Sequence, residues 1–153
     1  MSDRIAIINK GVIEQLGTPN DIYLNPKTVF TADFIGEANI IDGKVIKQEN
    51  DKLELSILGD IKITIKSNDN FNKGDIVKVV IRPEDVLLST KEIKGGLKGK
   101  IIDYTYGGEN TKLIMEIEDG ANIKSSVIDE ENYKYGDEVY MRFEEKYIVA
   151  LRK

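Results

Sequence analysis

The stretch Ile81-Arg82-Pro83-Glu84-Asp85-Val86-Leu87-Leu88 decides how the second half of this chain is interpreted. It interrupts an apolar strand pattern with a charged corner and then resumes the pattern. Proline fixes φ, has no N–H to donate and disfavours helix in the residue before it. We therefore expect Arg82 to be extended and the strand ladder to break at Pro83, as at an edge-strand turn.

On both sides of this corner, apolar residues alternate with polar ones, which is typical of half-buried strands. The alternation is clearest over residues 53–57, 61–65 and 113–117. Turn signals rich in Gly, Asn and Asp separate these segments. Many short strands at this spacing indicate a mainly β fold, an antiparallel barrel or sandwich.

The chain also contains an internal repeat. Gly43-Lys44-Val45-Ile46 recurs as Gly99-Lys100-Ile101-Ile102, and Lys73-Gly74-Asp75 recurs as Tyr135-Gly136-Asp137. The offset is 56 residues for the first pair (43 to 99) and 62 for the second (73 to 135). We therefore expect two similar halves, with a few residues inserted in the second half.

Residues 1–36 carry hairpin and helix signals instead. Asn9-Lys10-Gly11 separates two short apolar runs and predicts a hairpin turn. Thr18-Pro19 combines an N-cap residue with proline at the first helical position, and Asn25-Pro26 gives the same signal for a second helix. Gly36 is expected to end that helix in a left-handed C-cap. Such a small set of elements cannot bury itself, so we expect it to belong to a larger domain.

Composition excludes several kinds of site. The 153 residues include no Cys and no His, so disulfides and thiolate zinc sites are excluded and most transition metals lose their usual ligands. The net charge is −5, which disfavours non-specific binding to phosphate backbones. No apolar run approaches the ~20 residues that span a bilayer. We expect a cytoplasmic protein.

Two segments in this chain resemble a known family. Residues 81–88 resemble the I-R-P-E-D-(V/I)-x-L signature of the TOBE (transport-associated OB) domain, the C-terminal regulatory domain of importer ATPases. Residues 9–26 are similar to N-K-G-x-(I/V)-x-Q-x-G-T-P-x-x-(I/L)-Y-x-x-P, with which the catalytic domain of those ATPases ends. Residues 34–43 resemble the F-I-G-E-x-N-I-(F/I)-x-G of spermidine/putrescine importers. The resemblance covers residues 2–151.

The resemblance implies a fold and a role. The fold would be an OB-like antiparallel barrel built from two interleaved halves, with residues 37–153 as the regulatory domain and residues 1–36 as the end of the nucleotide-binding domain. The role would be regulation and dimerisation of the ATP-binding subunit of an ABC importer for polyamines. The implied partners are a second copy, the nucleotide-binding domain, membrane permease subunits and a polyamine ligand. The complex would lie on the inner face of the cell membrane.

No cofactor is expected in this part of the subunit, because ATP and magnesium would bind the nucleotide-binding domain. A phosphate cradle needs the spacing G-x-x-x-x-G-K-(S/T). Gly95-Gly96-Leu97-Lys98-Gly99-Lys100-Ile101 comes nearest, but it is one residue short between its glycines and has Ile101 in place of the hydroxyl residue. We interpret it as a flexible linker with a basic flank, and we expect no enzyme activity.

Six residues are candidates for regulatory or interface contacts. They lie at the charged corner and at the start of the second half: Arg82, Glu84, Asp85, Tyr104, Tyr106 and Glu109. The alternative role of the corner residues is to hold the turn, and that of the tyrosines is core or rim packing.

Two other functions are alternatives. In an OB fold, Tyr104 and Tyr106 would stack bases of single-stranded nucleic acid beside Lys98 and Lys100, although the acidic balance makes nucleic acid an unexpected partner. A small-anion site of the molybdate type is the other alternative.

Overall fold

The computed structural model describes residues 3–128 and 133–152. The strands of this part of the chain are β1 (Ile5–Asn9), β2 (Val12–Gly17), β3 (Asn39–Glu49), β4 (Lys52–Ile57), β5 (Ile61–Lys66), β6 (Ile76–Ile81), β7 (Val86–Ser89), β8 (Leu97–Tyr106), β9 (Asn110–Ile117), β10 (Asn122–Ile128), β11 (Glu138–Phe143) and β12 (Val149–Arg152). The α-helices are α1 (Pro19–Leu24) and α2 (Val29–Ile35), and 3₁₀ helices cover Pro83–Asp85 and Glu145–Tyr147.

The hairpin and the first helix follow the sequence prediction. Strands β1 and β2 pair antiparallel around the predicted turn. The Thr18 hydroxyl accepts a hydrogen bond from the Asp21 N–H at 3.1 Å, and Pro19 is the first helical residue. The local signals at Thr18-Pro19 are therefore sufficient to start α1.

The second helix differs from the prediction at both ends. It starts at Val29 with Thr28 as its N-cap, so the predicted start at Asn25-Pro26 is wrong. Gly36 has φ 174°, which is extended backbone, so the predicted left-handed C-cap is also wrong. A Cβ on Gly36 would lie 2.9 Å from Cε1 of Tyr23. Close packing of the Tyr23 ring, and not the backbone angle, requires glycine at this position.

The chain divides into two compact units, Met1–Val80 with Lys146–Lys153, and Ile81–Glu145. The first unit contains the hairpin, both α-helices and a five-stranded sheet in the order β12-β6-β3-β4-β5. The second unit contains a five-stranded sheet in the order β10-β9-β8-β11-β7. All strand pairs for which a register is defined are antiparallel.

The two sheets repeat one another in detail. In the first, the Val45 N–H donates to the Asp75 carbonyl at 2.9 Å, and in the second the Ile101 N–H donates to the Asp137 carbonyl at 2.9 Å. A register shift follows Val45 in β3 and Ile101 in β8. These pairs are those of the sequence repeat, so the predicted internal duplication is confirmed.

The shared glycine of each repeat lies in close packing. A Cβ on Gly43 would lie 2.6 Å from Cγ2 of Val79, and a Cβ on Gly99 would lie 2.6 Å from Cε of Met141. The short branched Val79 side chain cannot move away, so the first sheet needs glycine at position 43, whereas the flexible end of Met141 could shift to admit a Cβ at position 99.

The repeats exchange their last strands. Strand β7 follows β6 in the chain but pairs with β11, and β12 follows β11 but pairs with β6. Each five-stranded sheet therefore consists of four strands of one repeat and the closing strand of the other. The predicted fold class, a mainly β OB-like fold of two interleaved halves, is confirmed.

Candidate regulatory site

The charged corner between β6 and β7 has the predicted backbone. Arg82 is extended (φ −71°, ψ 145°), and the 3₁₀ helix begins at Pro83. The Asp85 N–H donates to the Arg82 carbonyl at 2.9 Å, and the Asp85 carbonyl accepts from the Glu144 N–H at 2.8 Å. The corner is thus closed by its own turn and by the segment that follows β11.

Charge is concentrated and partly buried at this corner. Arg82 is 3% exposed and Asp85 is 8% exposed, whereas Glu84 is exposed. The pKa of Asp85 is raised to about 6, mainly by burial and then by the carboxylates of Glu84 and Glu144, while the Arg82 guanidinium opposes the shift. Negative potential at the corner therefore exceeds what Arg82 offsets.

Glu144 belongs to this corner but was not among the predicted site residues. It stands at the position of the second repeat that corresponds to Arg82, because both follow the strand after the Gly-Asp turn. The repeat offset therefore offered a way to find it.

A cavity of about 550 Å³ lies beside the corner. Within residues 3–128 and 133–152, its lining includes one carboxylate, that of Glu84. The apolar lining residues are Val86, Leu87, Leu88, Val127 and Ile128, and the uncharged polar ones are Asn110, Ser126 and Tyr133. The Ser125 hydroxyl donates to the Val86 carbonyl at 2.8 Å, which ties β10 to the start of β7. The aliphatic walls of the cavity and the Glu84 carboxylate suit an elongated, positively charged aliphatic ligand.

The two candidate tyrosines lie on one face of β8 but do not line this cavity. Tyr104 pairs with Leu113 and Tyr106 with Thr111 without a register shift between them. They are 50% and 66% exposed, so core packing is the wrong role for both. Glu109 is exposed in the turn between β8 and β9. The structure thus brings Arg82, Glu84 and Asp85 together and leaves Tyr104 and Tyr106 apart from the cavity lining.

A second, shallow groove of about 510 Å³ follows the start of β8. Its charged lining residues are Lys98, Lys100, Glu116, Glu118 and Glu138. Lys98 Nζ lies 3.2 Å from Glu138 Oε2, and this hydrogen bond raises the pKa of Lys98. Because carboxylates outnumber the lysines, the groove does not favour an anion or a phosphate backbone.

The segment nearest to a phosphate cradle is a strand from Leu97 onward. Its backbone N–H groups belong to the ladders of β8 with β9 and β11, so the predicted flexible linker is wrong for residues 97–101.

Two kinds of feature are absent from the described residues. Residues 3–128 and 133–152 contain no cluster of three or more Asp or Glu side chains placed to hold a metal ion. None of the helices in those ranges is long and apolar enough to cross a membrane.

Comparison with known proteins identifies the family. Residues 79–151 match the model of the TOBE domain family. The chain carries a TOBE domain. The match begins just before the corner and ends in β12, so the acidic corner and its cavity both belong to this domain.

The chain also has longer relatives, several of which share one name. This chain is 33% identical over 146 residues to the spermidine/putrescine import ATP-binding protein PotA of Marinobacter nauticus, and the match covers 91% of this chain and 39% of that protein. The proteins of the same name from Nitratidesulfovibrio vulgaris and Borreliella afzelii are 32% and 43% identical, over 99% and 77% of this chain and 44% and 32% of their own lengths. The chain thus spans less than half of these relatives, and the resemblance inferred from the sequence is confirmed.

A solved structure shares the fold. The cytoplasmic molybdate-binding protein ModG superposes with a TM-score of 0.65 and 18% identity, over 75% of this chain and 96% of that protein. At this identity the likeness establishes the OB-type fold of the TOBE domain and no more.

Proposed function

We propose that this chain is the regulatory and dimerisation part of the ATP-binding subunit of an ABC importer for polyamines. Residues 37–153 form the regulatory domain, residues 1–36 end the nucleotide-binding domain, and the fragment is not itself an enzyme. The intact subunit binds ATP and magnesium, joins a second copy and permease subunits, and lies on the cytoplasmic face of the membrane. The names of the relatives and the TOBE match support this proposal.

The observation that carries the regulatory role is the cavity beside the acidic corner. Aliphatic walls suit the methylene chain of a polyamine, and the Glu84 carboxylate in the lining suits one of its ammonium groups. Asp85 and Glu144 add negative charge in the adjoining corner. The raised pKa of Asp85 reflects first its burial and then the neighbouring carboxylates of Glu84 and Glu144, whose charge a bound cation would offset. Polyamine binding here therefore acts as feedback on import.

Regulation operates as a coupling free energy between two sites. A polyamine that prefers one arrangement of the paired regulatory domains biases the closure of the attached nucleotide-binding domains. Coupling energies of this kind are typically about 1–3 kcal/mol, which is enough to change activity severalfold.

Calorimetric titration with spermidine and putrescine at two salt concentrations tests the proposal. We expect saturable binding that survives the higher salt and that Glu84→Gln weakens about tenfold, because a charge-assisted hydrogen bond is lost. Glu118→Gln is the matched control, since Glu118 lines the other groove. Absence of binding, or equal affinity in both variants, would contradict the proposed site.

A single-stranded nucleic-acid surface is the second candidate, favoured by the two exposed tyrosines on one face of β8. The carboxylates beside Lys98 and Lys100 weigh against it, as they do against a molybdate-like anion. A short oligonucleotide and molybdate in the same titration separate these alternatives from the polyamine site.

The hairpin supplies a surface for self-association. Ile8, Val12, Ile13 and Leu16 are each more than half exposed. We propose that this apolar surface packs on, or exchanges with, a second copy. Light scattering of the chain should show a dimer that Ile8→Lys with Ile13→Lys converts to a monomer, with Lys10→Glu as control. A monomer in every case would exclude the contact.

Substitution is preferable to removing residues 1–36, since α2 covers part of the first sheet.

A further inference from the structure

Helix α2 packs on β6 and on its partner β12, the strand that the second repeat contributes to the first sheet. Ala32 of α2 is fully buried in a cluster with Val80 of β6 and Leu151 of β12. Val29 and Val149 pack against the same cluster, and Val149 pairs with Val80 in the sheet. The helix therefore touches both partners of one strand pair.

These two strands lead directly to the acidic corner. Val80 precedes Arg82 by two residues, and Asp85 follows in the same 3₁₀ turn. On the other side, the Glu144 N–H is bonded to the Asp85 carbonyl, and a single 3₁₀ turn separates Glu144 from β12. The two chain segments that meet at the corner both continue into strands that contact Ala32.

The links to the corner are short, and the cluster is buried. Each link is short and either extended or one turn of 3₁₀ helix, and the strands beyond it are held by the ladder. The cluster around Ala32 is closed to solvent, and close-packed interiors shift between discrete arrangements instead of deforming gradually. Helix α2 has seven residues, so its stability depends on this packing.

We propose that α2 is the output element of the regulatory site. A polyamine held at the corner tightens the packing of Ala32 between Val80 and Leu151 and so stabilises α2, which connects the regulatory domain to residues 1–24. This inference rests on the proposed function, and it adds the element through which ligand binding is transmitted.

Amide hydrogen exchange of the full chain, with and without saturating spermidine, tests the inference. The informative amide is that of Ala32, which donates to the Thr28 carbonyl at 3.0 Å. We expect its exchange to slow at least about fivefold with ligand, the lower end of typical coupling energies. The amides of β5, at the far edge of the same sheet, serve as the internal reference and should not change.

A pair of matched variants separates coupling from general stabilisation. Leu151→Val removes one methylene from the cluster at α2, and Ile63→Val removes one from β5. We expect spermidine to slow exchange at Ala32 less in Leu151→Val than in Ile63→Val, while both variants still bind it.

The outcomes distinguish the two proposals. Binding heat with unchanged exchange at Ala32, or equal slowing in both variants, would overturn the role of α2 and leave the proposed function standing. Absence of binding heat would overturn the proposed function and this inference with it.

Discussion

The two repeats have the same strands but finish the ends of their sheets differently. One row of residues paired across three neighbouring strands shows the difference. In the first repeat the row is Gln48, Leu53 and Ile65. In the second repeat the corresponding row is Tyr104, Leu113 and Ser125. The middle position is a fully buried leucine in both. The outer positions differ in chemistry, and so does what lies next to them.

In the first repeat the end of the sheet is closed by its own side chains. The Gln48 amide donates to the Asp69 carbonyl at 2.7 Å and accepts from the Phe71 N–H at 2.8 Å. Arg152 donates to the Asn70 carbonyl at 2.6 Å, and its guanidinium lies 4.8 Å from the centre of the Phe71 ring. Phe71 is thereby held in the core.

In the second repeat the described residues at the corresponding place border a cavity instead. Tyr133 and Phe71 each stand three residues before the glycine of a Gly-Asp turn, but Tyr133 lines a cavity. Thr90, the residue after β7, occupies the position that corresponds to Arg152 at the end of β12. The side chain of Thr90 is much shorter than that of Arg152. The duplication thus left one copy as a structural support and the other with a cavity beside an acidic corner.

Truncating the two aromatic residues should give the largest difference between the repeats. Phe71→Ala should cost about 3 kcal/mol of unfolding free energy, since it removes a buried ring. Tyr133→Ala should cost less than about 1 kcal/mol, because Tyr133 borders a cavity. Urea unfolding of both variants measures the two losses, and equal losses would mean that the repeats are closed alike.

The corners should differ in their response to pH. Asp85 has a folded pKa of about 6, above that of an unfolded chain, so the folded state binds this proton more tightly. Its contribution to stability is therefore fully present below about pH 4 and is lost as pH rises through 6. The corresponding residue of the other 3₁₀ helix, Tyr147, carries no carboxylate.

Asp85→Asn is expected to raise unfolding free energy at pH 7.5 by about 1–2 kcal/mol, less than the full pKa shift would give because solvent screens part of it, and to leave it nearly unchanged at pH 4. Urea unfolding at both pH values checks this, with the exposed Asp60→Asn as control. An equal change at the two pH values would show that the surroundings of Asp85 do not raise the pKa of its carboxyl.

The residues at the ends of the exchanged strands should show a smaller contrast. Arg152→Ala removes a hydrogen bond and a cation–π contact, which together contribute about 1–2 kcal/mol. Thr90→Ala is the matched change at the end of β7 and should stay within about 0.5 kcal/mol. If thermal unfolding shows Thr90→Ala to be the more damaging variant, the assignment of the closed and open repeats is reversed.

Much of the fold followed from local pattern. Alternation predicted the strands, and Thr18-Pro19 predicted α1. The repeated Gly-Asp segments predicted the duplication, since each makes the same backbone hydrogen bond, with Val45 in one repeat and with Ile101 in the other. Gly36 was mispredicted because its conformation is set by packing of the distant Tyr23 ring.

The site was less accessible to prediction. The corner was identified from its proline and charges, but the exposure of Tyr104 and Tyr106 depends on what covers their face, which alternation does not specify. Among residues 3–128 and 133–152, no side chain of the second repeat fills the cavity as Phe71 fills the first repeat. Such a difference becomes visible only when the two repeats are compared in three dimensions.

The most direct test of the central claim is a search for intermolecular nuclear Overhauser effects between spermidine and the full chain. The account predicts transfer from the spermidine methylene protons to the methyl groups of Leu88 and Val127, which line the cavity of the second repeat. It predicts none to the ring of Phe71, which closes the first. Transfer to Phe71, or the absence of transfer to Leu88 and Val127 in a saturated sample, would contradict it.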